Sequence, residues 1–155
     1  MYVKDVMNPN VITCSPDTSI REVATILKQN DISGLPVVED SEIIGIVSEG
    51  DILKLLNMPD HSGLWLPSPF EVIEVPIREL LNWEETKRML EDIGSKPVSE
   101  IMKWSVYTIS PEDSVEDASS IISKHRINRL PVVDEDGKLV GIVTRGDIIA
   151  GLGKL

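Results

Sequence analysis

The sequence predicts a mixed α/β (α+β) fold of two pseudo-symmetric domains, each with the order strand-helix-strand-strand-helix, packed sheet to sheet. One observation behind this prediction is an internal repeat. Residues 11–56 and 106–152 carry the same motifs in the same order: Ser-Pro, Leu-Pro-Val-Val, Gly-Ile-Val and Gly-Asp-Ile. A second is the alternation of helical and strand periodicity within each copy. Two copies are too few for an extended solenoid, so they should pack on each other.

The first half of each copy predicts a short strand followed by a helix. Proline has no backbone N–H group, so the strand should end at Pro16 and at Pro111. Ser19 and Ser114 are each followed three residues later by an acidic residue, which is typical of a helix N-cap. Apolar residues three and four positions apart then predict an amphipathic helix in each copy.

The second half of each copy predicts a hairpin and a second helix. Residues 35–38 and 43–47 are short runs rich in β-branched side chains, and a polar turn at 39–42 separates them. The second copy repeats this pattern around residues 134–137. Each copy should then end in another helix.

The repeat divides the chain into residues 1–56, the first domain, residues 57–96, an ordered insert or crossover, and residues 97–155, the second domain. Two of the three tryptophans and the only phenylalanine lie in the insert, which argues against a flexible linker. The pattern Asn82-x-x-Glu85 predicts the start of a helix there. Two interpretations of the insert are open: a crossover that packs on the domains, or an aromatic interface patch.

Charge and composition exclude several classes of protein. The 155 residues include 15 Lys+Arg against 26 Asp+Glu, a net charge of -11, and such a surface repels nucleic acids and anionic lipids. No apolar stretch approaches the ~18 residues of a membrane span, so we expect neither a nucleic-acid nor a membrane partner. The single cysteine, Cys14, excludes an internal disulfide. We expect Cys14 to be buried and unreactive, and the protein to be cytoplasmic.

The residue types that carry catalysis or metal binding are sparse. The sequence contains no nucleophile beside a base and no metal-ligating cluster, and His61 and His125 have no ligand-spaced partners. It also contains neither a Walker lysine loop nor a Gly-x-Gly-x-x-Gly motif. We therefore expect no enzymatic activity, no metal and no required cofactor.

A hydroxyl residue and an aspartate three positions apart follow the last strand of each copy, as Ser48 and Asp51 and as Thr144 and Asp147. Two interpretations are open. The two side chains can cap the next helix, with the hydroxyl at the N-cap and the acid at N3. Alternatively, the aspartate can accept hydrogen bonds from ribose hydroxyls while the hydroxyl and the helix N-terminus attract a phosphate.

The repeated Leu-Pro-Val-Val, Gly-Ile-Val and Ser/Thr-x-Gly-Asp-Ile motifs, preceded by Val6-Met7 or Ile101-Met102, resemble those of cystathionine-β-synthase (CBS) domains. The resemblance covers both copies and implies a tandem pair, or Bateman module. Such a pair typically binds an adenosine ligand (AMP, ADP, ATP or S-adenosylmethionine) in a sheet-lined cleft, and two chains associate into a flat disc. The resemblance therefore implies a regulatory adenosine ligand, a homodimer and a regulated partner protein of unknown identity.

Carried over residue by residue, the resemblance implies two ligand sites. Asp51 and Asp147 would bind ribose hydroxyls, and Ser48 and Thr144 would lie beside the ribose or the phosphate. The threonine before each Ser-Pro motif would line the adenine side, and the pair before each Leu-Pro-Val run would also contribute. These further residues are Thr13, Thr108, Ser33, Gly34, Asn128 and Arg129.

Positive charge favours the site of the second copy. Arg129 is a candidate phosphate anchor, because a guanidinium holds phosphate through two parallel hydrogen bonds, and Arg126 and Arg145 lie close by in sequence. Three ordinary surface arginines are the alternative. Residues 1–56 carry 4 basic against 9 acidic side chains, whereas residues 97–155 carry 7 against 9. We therefore predict that the first-copy site is weaker, or selects a less negative ligand.

Two functions follow from these predictions. In one, the protein is a sensor in which a bound adenosine ligand shifts a dimer, and a partner protein recognises that shift. In the other, the protein is a ligand-free dimerisation scaffold whose contact is made by Trp65, Phe70 and Trp83 of the insert. The hydroxyl and aspartate present in both copies favour the sensor.

Overall fold

The structure is a computed structural model that describes residues 1–56, 63–67, 72–76 and 83–155. In this part of the chain the strands pair as three two-stranded sheets, each formed by two strands that are consecutive along the chain. A short 3-10 turn, Val98–Glu100, follows the fourth helix. The elements in chain order are α1 (Val3–Val6), α2 (Ile20–Gln29), β1 (Gly34–Glu39), β2 (Glu42–Ser48), α3 (Glu49–Leu56), β3 (Gly63–Pro67), β4 (Val72–Pro76), α4 (Trp83–Ser95), α5 (Val115–His125), β5 (Arg129–Val133), β6 (Leu139–Thr144) and α6 (Arg145–Leu152).

The helices and hairpins of both repeats begin where the sequence predicts. The Ser19 hydroxyl caps α2 by accepting a hydrogen bond from the backbone N–H of Glu22 at 3.1 Å. The Ser114 hydroxyl caps α5 by accepting from the N–H of Asp117 at 3.0 Å. A hairpin and a second helix then follow in each repeat, so these predictions are confirmed.

The first strand of each repeat is shorter than predicted. It consists of a single parallel bridge, between Cys14 and Val37 in the first repeat and between Ile109 and Val132 in the second. The chain turns immediately afterwards at a proline, which cannot donate a further ladder hydrogen bond. Cys14 is buried, as predicted.

The chain packs as two compact units, and the first repeat is divided between them. Unit 1 comprises Met1–Pro16, Gly34–Val47 and Lys103–Leu155, and unit 2 comprises Asp17–Ser33 and Ser48–Met102. Unit 1 therefore contains β1, nearly all of β2, and the β5–β6 hairpin. The domain boundaries drawn from the repeat stay a prediction.

One buried apolar cluster of unit 1 is built from the second repeat and completed by the N-terminal segment. Val3 is fully buried, and its N–H donates to the carbonyl of Asp113 at 2.9 Å. Asn8 and Ile142 exchange two backbone hydrogen bonds of 2.8 and 2.9 Å. The buried members of this cluster are Val3, Ile109, Val115, Ala118, Ile122, Leu130, Val132, Val143 and Ile148.

In unit 2, α4 packs on α2 of the first repeat. The Arg21 Nη2 group donates to the carbonyl of Glu91 at 3.3 Å, and a Cβ built on Gly94 would lie 3.4 Å from the Arg21 side chain. The predicted helix of the insert therefore begins at Trp83, next to its predicted cap, and Asn82 itself lies outside the described residues. The β3–β4 hairpin was not predicted.

Candidate functional site

Thr144 and Asp147 form a reciprocal cap at the start of α6. The Thr144 hydroxyl accepts from the Asp147 N–H at 3.1 Å, and Asp147 Oδ2 accepts from the Thr144 N–H at 2.9 Å. Within the described residues, the second carboxylate oxygen, Oδ1, accepts no hydrogen bond, and Asp147 is only half-buried. The capping interpretation therefore holds, but it engages only one of the two carboxylate oxygens. The other can accept a hydrogen bond from a ligand.

Ser48 and Asp51 form the same cap with one additional hydrogen bond, although the Asp51 N–H lies further from the hydroxyl, at 3.4 Å. Asp51 Oδ2 accepts from both the Ser48 N–H at 2.9 Å and the Ser48 hydroxyl at 3.1 Å. Asp51 is buried, with 8% of its surface exposed. A hydroxyl that donates to its own aspartate is less available to a phosphate, so the two caps differ chemically as well as in burial.

Arg129 is buried, with 8% of its surface exposed. It begins β5 and lies opposite Thr144 in the antiparallel register of β5 and β6. Its guanidinium lies against Gly34, because a Cβ built on Gly34 would be 2.5 Å from Arg129 Cζ and 2.9 Å from the Val47 carbonyl oxygen. The interpretation of Arg129 as an ordinary surface arginine is therefore wrong.

Asn128 and Arg145 are neighbours on the surface. The Arg145 N–H donates to the Asn128 carbonyl at 3.1 Å, and Arg145 Nη1 donates to Asn128 Oδ1 at 3.5 Å. In the first repeat, the Glu49 N–H donates in the same way to the Ser33 carbonyl at 2.9 Å. The same backbone hydrogen bond therefore occurs in both repeats. Its donor residue is the negative Glu49 in the first repeat and the positive Arg145 in the second.

Thr13 and Thr108 are exposed residues next to the single-residue bridges. The Cys14 N–H donates to the Pro36 carbonyl at 3.2 Å, and the Ile109 N–H donates to the Pro131 carbonyl at 3.1 Å. Each threonine therefore borders the hairpin of its own repeat.

The predicted site residues are divided between the two units. In unit 1, contacts connect Gly34 to Arg129, Thr144 to Asp147, and Asn128 to Arg145, and Arg129 and Thr144 are strand partners. The unit 1 members are Thr13, Gly34, Thr108, Asn128, Arg129, Thr144, Arg145 and Asp147, and the unit 2 members are Ser33, Ser48 and Asp51.

Sequence reasoning missed an aromatic contact beside Thr108. The rings of Tyr107 and His125 stack with their centroids 3.8 Å apart and an interplanar angle of 19°. The only sequence signal was the presence of Tyr107 next to a predicted site residue. Within the described residues, no group of three or more potential metal ligands comes together.

The CBS domain family model matches residues 3–57 and 98–154. The chain belongs to the CBS domain family. It is 37% identical over 154 residues to the uncharacterized protein MJ1426 of Methanocaldococcus jannaschii, an alignment that spans 98% of this chain and 91% of that protein. Of the helices in the described residues, none is long and apolar enough to cross a membrane.

Two solved structures with bound ligands are similar to this chain over nearly its whole length. The crystal structure of CBSX2 from Arabidopsis thaliana in complex with AMP is 27% identical, with a TM-score of 0.70 and coverage of 99% of this chain and 96% of that one. The CBS domain pair of protein MJ0100 in complex with 5′-methylthioadenosine and S-adenosyl-L-methionine is 28% identical, with a TM-score of 0.73 and coverage of 99% and 97%. This likeness confirms the predicted fold class.

Proposed function

We propose that the protein is a regulatory module that binds an adenosine ligand (AMP, ADP, ATP or S-adenosylmethionine) and signals its occupancy to a partner protein. The observation that carries the proposal is Asp147, whose Oδ2 caps α6 while Oδ1 is left to accept a hydrogen bond. Thr144 forms this cap with Asp147, and the buried Arg129 is the strand partner of Thr144. The AMP complex of CBSX2 and the methylthioadenosine and S-adenosylmethionine complex of MJ0100 support this ligand class.

In this proposal, the groups of the second-repeat site have separate roles. Asp147 Oδ1 accepts from a ribose hydroxyl, and the Thr144 hydroxyl and the Arg129 guanidinium hold the phosphate. Thr13 borders the adenine, and Gly34 leaves room for the guanidinium. The first-repeat site uses Ser48 and Asp51, and the remaining predicted contributors are Ser33, Thr108, Asn128 and Arg145.

We further propose that the second-repeat site is the stronger of the two. In the first repeat, the Ser48 hydroxyl donates to Asp51 Oδ2 and is less available to a phosphate, and Asp51 is buried. Of the groups of Thr144, only the N–H donates to Asp147, which is more exposed. A carboxylate that keeps its capping hydrogen bond while it binds a ligand hydroxyl gives up less favourable free energy when the ligand binds.

The signalling step requires a ligand that binds one arrangement of the protein better than another, since equal affinity shifts no population. We propose that the ligand changes the population of arrangements in a homodimer and that a partner protein binds one of them. The protein itself is proposed to be non-catalytic and cytoplasmic, in keeping with its single buried cysteine.

A scaffold function is the second candidate, and the exposure of Trp83 favours it. Trp83 begins α4 with 70% of its surface exposed, and exposed aromatic side chains are enriched in binding interfaces. In a scaffold, Trp83→Ala would weaken partner capture, whereas substitutions of Asp51 and Asp147 would leave it unchanged.

Isothermal titration calorimetry with AMP, ADP, ATP and S-adenosylmethionine tests the proposed function. We expect micromolar binding of at least one ligand and a roughly tenfold or greater loss of affinity in Asp147→Ala. Asp117→Ala is the matched control, because Asp117 is also an N3 acid whose N–H binds a capping hydroxyl. If none of the four ligands binds folded, nucleotide-free protein, the proposal fails and the scaffold takes its place.

A further inference from the structure

The second repeat carries a surface patch that combines aromatic and basic side chains. It is centred on the stacked rings of Tyr107 and His125, whose centroids lie 3.8 Å apart. Trp104 lies three residues before Tyr107 and is 66% exposed, and Tyr107 itself is 43% exposed. Lys124 and Arg126 flank His125 at the end of α5, and both are exposed. We call these five residues the aromatic-basic patch.

The first repeat has no aromatic or basic residue at the five equivalent positions. The counterparts of the patch are Pro9, Ile12, Gln29, Asn30 and Asp31. The structure supports this alignment, because Asn8 exchanges two backbone hydrogen bonds with Ile142, and Lys103 exchanges two with Ile46 at the equivalent place in the other repeat. The patch is therefore specific to the second repeat and is not part of the shared CBS scaffold.

The patch is positively charged on a protein that is strongly negative. The whole chain has a net charge of -11, yet residues 101–111 and 118–133 contain no acidic residue. Basic residues at a helix C-terminus interact favourably with the helix dipole, which accounts for Lys124 without any partner. The dipole does not account for the exposure of Trp104 and Tyr107. Trp, Tyr and Arg are the residue types most enriched at the energetic centres of protein interfaces.

We propose that the aromatic-basic patch binds an acidic segment of a partner protein that carries an aromatic side chain. The partner's aromatic ring packs beside Trp104 and Tyr107. Its carboxylates pair with Lys124 and Arg126, since a guanidinium can hold a carboxylate through two parallel hydrogen bonds. The inference does not rest on adenosine binding, because none of the five patch residues is a proposed ligand residue.

The charge of the remaining surface favours this kind of partner at this place. An acidic segment is repelled by most of the chain and attracted by the patch, so it is directed to the patch during encounter. A nucleic acid also fits a surface of basic and aromatic side chains. However, its dense phosphate charge is repelled more strongly by a protein with a net charge of -11.

Titration with a short acidic peptide, followed by two-dimensional amide NMR without nucleotide, tests the proposal. The probe is a synthetic heptapeptide with a central tryptophan and three glutamates on each side. We expect submillimolar binding, with the largest shifts at the amides of residues 104–107 and 124–126 and at the Trp104 indole N–H. A peptide with lysine in place of glutamate should cause no shifts. A peptide with alanine in place of tryptophan should bind roughly tenfold more weakly.

Variants of the protein separate the charged and aromatic contributions. Arg126 has φ 53° and its counterpart Asp31 has φ 51°, so Arg126→Asp introduces a residue that the first repeat holds in the same left-handed conformation. This variant should bind the peptide roughly tenfold more weakly. Trp104→Ala should weaken binding to a similar extent with no change of charge. Lys154→Asp, at an exposed residue beyond the end of α6, makes the same change of charge as Arg126→Asp and should bind like the wild type.

Four results would overturn the proposal. The first is the absence of shifts at millimolar peptide, and the second is peptide binding that both Trp104→Ala and Arg126→Asp leave unchanged. The third is a single-stranded oligonucleotide that binds the patch more tightly than the peptide, which would make nucleic acid the occupant. The fourth is a set of the same shifts when the protein alone is concentrated, which would assign the patch to a contact between two copies.

Discussion

Gly34 and Arg129 stand at the same position in the two repeats and lie against each other. A Cβ on Gly34 would come within 2.5 Å of the guanidinium carbon, so the arginine occupies the space that the glycine leaves open. The glycine of the first repeat therefore leaves space for the positively charged side chain of the second repeat. An arginine at both positions would not fit, which limits this part of the molecule to one buried guanidinium.

Gly34→Ala should destabilise the protein by roughly 1–3 kcal/mol, since the added methyl group overpacks a filled site. Its φ is not in the left-handed region, so packing and not backbone strain is what this substitution tests. Urea unfolding gives the change in free energy. The control is Gly146→Ala, where the nearest atom to a new Cβ is 3.7 Å away. Alanine has the higher helix propensity, so the stability of α6 should increase slightly. Equal stability of Gly34→Ala and the wild type would contradict the contact.

Arg129→Met should separate phosphate ligands from S-adenosylmethionine. The methionine keeps much of the length of the side chain but removes the charge, so ATP affinity should fall roughly tenfold to a hundredfold. The affinity for S-adenosylmethionine, which has no phosphate, should change much less. Calorimetry on both ligands measures the difference, and thermal unfolding checks that the variant is folded. An equal loss for both ligands would argue that Arg129 only supports the structure.

Val3→Ala should destabilise unit 1 by about 2 kcal/mol, because Val3 is fully buried in a core made otherwise from the second repeat. Hydrogen exchange should speed up at Ile142, whose N–H donates to Asn8 of the same segment. Asn10→Ala, an exposed position a few residues on, is the control. Unchanged exchange at Ile142 would mean that the segment does not hold β6 in place.

The ion pair between Lys4 and Glu112 should stabilise the folded protein at neutral pH and lose this effect at strongly alkaline pH. Their Nζ and Oε2 atoms are 2.8 Å apart, and this hydrogen bond raises the pKa of Lys4 above its ordinary 10.5. A raised pKa means that the stabilisation is present at lower pH and is lost as the pH rises through the folded-state pKa. Both side chains are exposed, so the effect is small and screened by salt.

The measurement is urea unfolding of the wild type and Lys4→Met from neutral pH upward. The small difference between them should vanish above pH 10.5 as Lys4 loses its proton. A difference that stays constant across this range would come from packing of the side chain and not from the charge.

Local features of this fold could be predicted from the sequence because their hydrogen bonds span only three residues. The caps at Ser19, Ser114 and Thr144 are of this kind, and each lies where the sequence placed it. The hairpins were predictable because β-branched runs flank short polar turns. The internal repeat also made the fold class predictable, because two similar halves need each other to bury their apolar faces.

Contacts between distant segments could not be predicted in the same way. The N-terminal segment binds the second repeat through backbone groups of Asn8 and Ile142, and nearly any side chains would permit those bonds. The burial of Arg129 depends on a glycine in the other repeat. One clue was available, because aligning the repeats places an arginine opposite the smallest residue.

The position of Val3 in the core also bears on how the protein is made. Val3 leaves the ribosome long before Ile148, yet the two belong to one buried cluster. Contacts so far apart along the chain close slowly and late. The nascent chain therefore holds an unburied valine through most of its synthesis, and this core can be completed only after the last helix has emerged.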